Sequence, residues 1–234
     1  MFSGIHELTV NVSCDQNYDG EIYEIVKKSP NLLGLHICFS QDAADAVPQR
    51  YPKHLNASPN RHNLHSAVTH LTLQGAIFRT FYNDLSFPNL RALAIVDCER
   101  SGRFFTDLDS EEFPRLSAIM IKTHSTVSPV RLREFIRGLK SLRELIVHGE
   151  HVWFNDGSDI VQCGKTLQLL SLHDSQARSC FFLVEAAAED FLKALPALRH
   201  LSFFLSHVFK DYSGSHSGDG YTNYCSILVR YSCK

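Results

Sequence analysis

Apolar residues recur along this chain in a six-residue pattern, apolar-x-x-apolar-x-apolar. Eight segments fit the pattern, and they begin at Ile5, Leu32, Val68, Leu90, Leu116, Leu142, Leu167 and Leu198. Successive segments begin 27, 36, 22, 26, 26, 25 and 31 residues apart. Recurrence at this spacing is typical of proteins whose similar units stack one on the next. The pattern therefore predicts an array of about eight repeats over residues 1–209.

Each segment predicts a short strand. Its last two apolar positions, such as Leu145 and Val147, are two residues apart, so their side chains point to the same side of an extended chain. A turn signal such as Pro88-Asn89 stands before most segments. We expect eight strands in a curved parallel sheet, with these residues almost fully buried: Leu93, Ile95, Ile119, Ile121, Leu145, Val147, Leu170 and Leu172.

The segments that return the chain to the next strand differ in type. Three of them have apolar residues at helical spacing, namely Ile22 with Ile25 and Val26, Leu132 with Phe135, Ile136 and Leu139, and Ala188 with Phe191, Leu192 and Leu195. Ser128-Pro129 supplies an N-cap and a first helical residue for the second. The predicted fold class is α/β, a curved parallel sheet with helices, 3-10 turns and loops on its convex side.

Two stretches fall outside the repeats. Residues 41–63 are polar and contain three prolines. They lie between the second and third segments, which begin 36 residues apart, the longest distance in the array, so we predict a surface insertion there. Residues 210–234 are predicted to be a flexible or poorly ordered tail, in which Gly214 to Gly220 has the composition of a linker and Tyr224 to Val229 could form a strand. Neither end of the array carries a polar cap, so we interpret the chain as part of a longer array.

The composition and charge of the chain limit which cellular compartments and which partners are expected. Hydrophobic residues make up 44% of the chain and the net charge is −2, so no global attraction to nucleic acid or to anionic lipid is expected. No apolar run reaches the roughly 18 to 20 residues that span a bilayer, and Met1 to Val10 lacks the features of a secretory signal. The seven cysteines contain no CxxC pair, which indicates reduced, mostly buried thiols in the cytoplasm or nucleus.

The motifs resemble those of leucine-rich-repeat proteins over residues 5 to 205. Phe87-Pro88-Asn89-Leu90-Arg91-Ala92-Leu93 and Phe113-Pro114-Arg115-Leu116 are similar to phrases in the repeat region of fungal F-box proteins, and Cys98 follows the fourth motif where such repeats often carry Asn or Cys. The resemblance implies a leucine-rich-repeat solenoid that recognises substrates for a ubiquitin-ligase adaptor. The F-box itself is absent from this chain, which opens directly in a repeat, so that role would require an F-box upstream.

Alternate positions of each strand face away from the core and form the concave side of the array. At the fifth motif position the residues are apolar in the middle of the array, at Ala94, Met120 and Ile146, and polar or small and polar on both sides of it. An apolar patch with a polar rim is typical of a protein-binding site. We therefore predict a non-catalytic protein-protein interaction scaffold, whose partner-binding residues are Ala94, Val96, Met120, Lys122, Ile146 and His148. The alternatives at these positions are a loop that covers them, or small apolar exposures that are scattered over the surface.

The sequence gives weaker support to a catalytic or metal-binding function. His148 and His173 occupy equal positions on adjacent strands, near Glu150 and Asp174 in sequence, so a hydrolase or metal-dependent enzyme is one alternative function. A truncated repeat fragment with no partner is another. His62, His65 and His70 lack an HExxH or cysteine partner, and no phosphate-binding glycine loop or GxSxG motif occurs. We expect no catalytic residue, metal or cofactor, and a solvated face at Arg131, Arg133, Arg137, Lys140 and Arg143.

Overall fold

In the part of the chain that the structure describes, nine strands form one open sheet and follow one another in chain order. The computed structural model describes residues 4–12, 24–39, 67–75, 87–98, 105, 108–126, 129–150, 158–163, 165–174, 190–206 and 224–229. The strands are β1 (Glu7–Val12), β2 (Gly34–Phe39), β3 (His70–Gln74), β4 (Ala92–Val96), β5 (Ala118–Thr126), β6 (Glu144–Glu150), β7 (Leu169–Asp174), β8 (His200–Ser206) and β9 (Tyr224–Val229). β1 to β8 are all parallel, and β9 is antiparallel to β8.

The eight predicted strands and their α/β class are confirmed. Equal motif positions pair across the sheet, so that Leu93 lies beside Ile119, Ile119 beside Leu145 and Leu145 beside Leu170. Each of the eight side chains predicted to be buried exposes 6% of its surface or less. One face of the sheet, the core face, therefore carries the apolar pair of every motif. The opposite face is called the outward face below.

Tight turns lead into four of the strands. In each turn a backbone N–H donates to the carbonyl three residues earlier, over 3.0 to 3.1 Å, as Leu90 does to Phe87 and Leu116 to Phe113. Proline stands second in these turns, at Pro30, Pro88, Pro114 and Pro196. Proline favours that position because its ring fixes the φ angle that such a turn needs. The turn signals in the sequence therefore mark where the strands begin.

A second arrangement of backbone hydrogen bonds sets the register between neighbouring strands. Just before each new strand, one carbonyl of the previous unit accepts two consecutive N–H groups. The Arg91 carbonyl accepts from Ser117 and Ala118, both at 2.9 Å, and the Ser117 carbonyl accepts from Arg143 at 2.7 Å and Glu144 at 3.0 Å. The same arrangement occurs at all seven junctions from β1 to β8. It holds the equal motif positions side by side, although the lengths of the return segments differ.

The return segments pack on the core face. Helix α1 (Pro129–Gly138) buries Leu132, Phe135 and Ile136 in the same cluster as the strand residues, as its spacing predicts. Residues 24–28 and 190–193 are also helical, at the two other places where helices are expected. Helix α2 (Ser158–Val161) and a 3-10 turn at Ser110–Glu112 serve two further returns. Among the described helices none has the length and apolar content needed to cross a bilayer.

Some of the predicted features fall wholly or partly outside the described residues. The insertion at 41–63 and the N-cap Ser128 lie outside them. Within the predicted flexible tail, residues 224–229 form the paired strand β9, and the rest of 210–234 lies outside the described part of the chain. Ile5, Leu8 and Val10, in the first repeat, are partly buried and pack against the core.

We expect Ser29→Ala to raise the free energy of unfolding by about 1 kcal/mol. Ser29 is 3% exposed, and its hydroxyl has no hydrogen-bond partner among the described residues. Phe87, Phe113 and Leu195 hold the same place in other turns and are buried, so the site is apolar. A buried hydroxyl without a partner is destabilising, since it has lost its bonds to water.

Urea denaturation of both forms would measure the effect. The matched control is Ser117→Ala, because the Ser117 hydroxyl donates to the Arg91 carbonyl at 3.2 Å. This control should lower the free energy of unfolding by about 0.5 kcal/mol. If both variants lose stability alike, Ser29 has a partner and the interpretation is wrong.

Candidate protein-binding surface

The six candidate residues all lie on the outward face. Along β4 the burial alternates, with Ala92, Ala94 and Val96 partly exposed and Leu93 and Ile95 buried. The alternation follows from the pleat of a strand, which turns successive side chains to opposite faces. On β5 and β6, Met120, Ile146 and His148 are likewise partly exposed, and Lys122 is exposed.

The sheet register brings these six residues together. Ala94 pairs with Met120 and Met120 with Ile146, which makes one row across three strands. Val96, Lys122 and His148 pair in the same way and make a second row beside the first. Neighbouring strands are about 4.8 Å apart, so the two rows form one continuous surface. This surface, made of Ala94, Val96, Met120, Lys122, Ile146 and His148, is called the central patch.

Both rows continue onto β7 with polar residues. Ser171 lies beside Ile146, and His173 lies beside His148. The rings of His148 and His173, called the histidine pair below, have centroids 4.3 Å apart and planes inclined by 36°. The structure thus confirms that these two side chains meet, as their equal motif positions predict.

A serine hydroxyl contacts each ring of the histidine pair. Nε2 of His148 is 2.9 Å from Oγ of Ser171, and Nε2 of His173 is 2.9 Å from Oγ of Ser202. Each histidine therefore reaches diagonally to the next strand, and the same contact occurs twice in succession. These contacts were not predicted from the sequence, although the serines at the middle outward position of β7 and β8 were the available signal.

Both rings of the histidine pair favour the neutral form. Partial burial, together with the nearby like charges of His173 and Lys122, lowers the pKa of His148 from 6.5 to about 4. Partial burial also lowers the pKa of His173. At neutral pH the outward face therefore presents two uncharged rings beside the apolar row.

The low pKa of His148 bears on the enzyme alternative. A histidine with a pKa of about 4 is a weak base at neutral pH, so it takes the proton of Ser171 poorly. In the described part of the chain no three His, Cys, Asp or Glu residues are placed to hold a metal ion. The side chains of Glu150 and Asp174, which the enzyme alternative needs, are outside the described side chains.

The other sequence-predicted residues are scattered. His70 lies on the outward face of β3, where its Nδ1 is 2.8 Å from the Thr69 hydroxyl, and His62 and His65 lie outside the described residues. Of the five residues predicted to form a solvated face, Arg137, Lys140 and Arg143 are exposed and Arg133 is only partly exposed, while Arg131 lies outside the described side chains. Cys38, Cys98 and Cys163 are free thiols, the last two of them buried.

Comparisons with known protein families, with curated proteins and with solved structures find no match.

Proposed function

We propose that this chain is a leucine-rich-repeat solenoid that acts as a non-catalytic scaffold and binds a protein partner through the central patch. The observation that carries the proposal is the register of β4, β5 and β6, which joins the six candidate residues into one surface. Four of the six side chains are apolar and only partly buried. A partner that covers them would remove apolar area from water, which favours association.

The surroundings of the central patch also suit an interface. Thr72 and Gln74 border it on β3, and Ser171 and His173 border it on β7. Protein interfaces commonly combine an apolar centre with a polar rim that stays in contact with water. Because the hydrogen-bonded sheet already fixes the backbone beneath these side chains, little backbone entropy is lost when a partner binds. Met120 adds an adaptable contact, since its side chain is unbranched and polarizable.

Polar contacts between successive repeats support the leucine-rich-repeat assignment. The thiol of Cys98, just after β4, donates to the Leu73 carbonyl of the previous repeat at 3.3 Å. The Thr123 hydroxyl in turn donates to the Cys98 carbonyl at 3.1 Å. Side chains at this place thus connect consecutive repeats, at the position where the resemblance expects Asn or Cys.

In its more specific form the proposal is that the chain recognises substrates for an F-box-type ubiquitin-ligase adaptor. This form rests on the resemblance of the Phe-Pro-containing motifs, and it requires an F-box on the same polypeptide. The free thiols of Cys38, Cys98 and Cys163 fit the reducing cytoplasm or nucleus in which such a protein would act. An in-frame F-box-like helical segment upstream of Met1 in the genomic sequence would support it.

Met120→Asp should weaken binding of a partner by at least about 1 to 2 kcal/mol, which is roughly a tenfold rise in Kd. The carboxylate would be placed among Ala94, Ile146 and the partner, where it loses water that it keeps in the free chain. The probe is a peptide selected from a displayed library against the full chain at pH 7.5. Fluorescence anisotropy then gives its Kd for each variant.

The matched control is Val130→Asp. Val130 is 48% exposed on α1, on the other side of the sheet, so the same type of change there should leave Kd unaltered. The competing site is the predicted insertion at 41–63, because long loops often carry binding residues. If deletion of 41–63 abolishes binding while Met120→Asp has no effect, the insertion is the binding site and the proposal is wrong.

A further inference from the structure

Basic side chains gather at the edge of the sheet where strands β4 to β8 begin. Each of these strands starts in an equivalent five-residue segment, which contains the first apolar residue of the motif and two residues on either side of it. The segments are 88–92, 114–118, 140–144, 165–169 and 196–200. Their lysines and arginines are all exposed and are called the basic rim: Arg91, Arg115, Lys140, Arg143, Lys165 and Arg199. The same segments hold a single carboxylate, that of Glu144.

Backbone hydrogen bonds place the five segments side by side. One row runs from strand to strand through Arg91, Ser117, Arg143, Gln168 and Arg199, because the carbonyl of each accepts from the N–H of the next at 2.7 to 2.9 Å. Arginine therefore occurs on every second strand of this row, with a neutral residue between. Strands are about 4.8 Å apart, so the rim from β4 to β8 is about 19 Å long.

The charges of the basic rim are not neutralised within the described part of the chain, where no carboxylate forms an ion pair with any of its six side chains. Arg115 donates from Nη1 to Oδ1 of Asn89 at 2.9 Å, which is a contact with a neutral amide. Glu144 in the rim and Glu111 and Glu112 on the 3-10 turn before β5 are exposed carboxylates, so six basic groups face three acidic ones.

The basic rim is a local concentration of positive charge, since the chain as a whole has a net charge of −2. Side chains on neighbouring strands lie within the distance of about 8 Å over which physiological salt screens a charge. Their potentials therefore add, and the surface attracts an anion that spans several strands more strongly than one that meets a single side chain.

We propose that the basic rim binds an acidic segment of a protein partner, a run of about six or more residues rich in Asp and Glu. An extended chain rises about 3.3 Å per residue, so six residues match the length of the rim. The planar guanidinium groups of Arg91, Arg143 and Arg199 suit carboxylates, because each can donate two parallel hydrogen bonds to one carboxylate.

A polypeptide fits the rim better than a nucleic acid does. Single strands of nucleic acid are typically bound where aromatic side chains stack on the bases, and the five segments contain no Phe, Tyr or Trp. The rim also adjoins the central patch, since Arg91 is three residues before Ala94 and Arg143 is three before Ile146, about 10 Å along each strand. That one partner contacts both surfaces rests on the proposed function, whereas binding at the rim does not.

The experiment measures binding of a fluorescein-labelled peptide of ten glutamates to the full chain, by anisotropy at pH 7.5 in 50 mM NaCl. The Arg143→Glu, Lys165→Glu double variant should raise Kd at least about tenfold, because two attractive charges become repulsive. The control is Lys27→Glu with Lys28→Glu, which makes the same change in net charge at exposed residues before β2. It should change Kd less than about threefold, since exposed charges beyond the Debye length are largely screened.

Circular dichroism would show that each variant is folded. Equal losses in the two double variants would mean that net charge and not the rim holds the peptide, and would overturn the proposal, as would a natural chain that does not bind it. A second probe is an oligothymidylate with ten phosphates. Tighter binding of this probe than of the peptide, with the same dependence on Arg143 and Lys165, would assign the rim to nucleic acid and overturn the proposal.

The two proposed surfaces fail separately. If the rim variants bind the glutamate peptide as the natural chain does, while the library-selected peptide stays sensitive to Met120→Asp, only the proposal for the rim is overturned. If Met120→Asp has no effect on the library-selected peptide while the rim variants lose the glutamate peptide, the proposed function is wrong and the rim remains a binding site for acidic segments.

Discussion

Leu145→Ala should lower the free energy of unfolding by about 2 to 5 kcal/mol. Leu145 is 0% exposed at the start of β6, where it pairs with Ile119 on one side and Leu170 on the other. Truncation removes apolar contacts and leaves a cavity between neighbours that are themselves held by the sheet. Because those neighbours can move little to fill the space, most of the cavity should persist.

Chemical denaturation of the purified chain would measure this loss. Leu33→Ala is the matched control, because Leu33 is 45% exposed and lies just before β2. The control should change stability by less than about 0.5 kcal/mol. Equal midpoints for Leu145→Ala and the natural chain would contradict the assignment of Leu145 to the core.

Gly75→Ala should be destabilising by about 1 to 3 kcal/mol from backbone strain alone. Gly75, directly after β3, has a φ of +69°, which residues with a Cβ atom rarely adopt. A Cβ atom here would also lie 2.6 Å from the carbonyl oxygen of Phe39 at the end of β2. That oxygen belongs to the backbone and cannot turn aside as the end of a side chain could, so the clash adds to the loss.

Thermal and urea denaturation would test this alongside Gly4→Ala. A Cβ atom at Gly4 would have no atom within 4 Å, so the control should leave stability unchanged or slightly raised. If the two variants behave alike, the left-handed conformation of Gly75 is not needed for the end of β3. That result would contradict the expected strain.

The strands could be predicted because one simple rule repeats. Pairs such as Ile119 and Ile121 mark the buried side of each strand, and the rule holds even though the return segments vary in length. Strand β9 could not be placed in the same way. Its run of Ile227, Leu228 and Val229 carries no motif spacing, and nothing in such a run states whether it pairs parallel or antiparallel.

The candidate surface could be predicted only in part. Equal motif positions were enough to bring Lys122, His148 and His173 into one row. The stacking of the rings and their contacts with Ser171 and Ser202 depend on side-chain rotamers, which sequence spacing does not specify. The buried hydroxyl of Ser29, which has no partner among the described residues, could not be foreseen either, because the similar turns of other repeats carry an apolar residue at that place.

The chain-ordered pairing of the sheet has a mechanical consequence. Each strand from β2 to β8 is bonded only to the strand before it and the strand after it. Tension along the stack would load one row of hydrogen bonds at a time, as in opening a zipper, instead of shearing many rows together. Each 26-residue repeat released in this way would lengthen the chain by about 90 Å. The protein should therefore yield to small forces in successive steps, whose lengths differ as the lengths of the repeats do, and extend far before its last repeats separate.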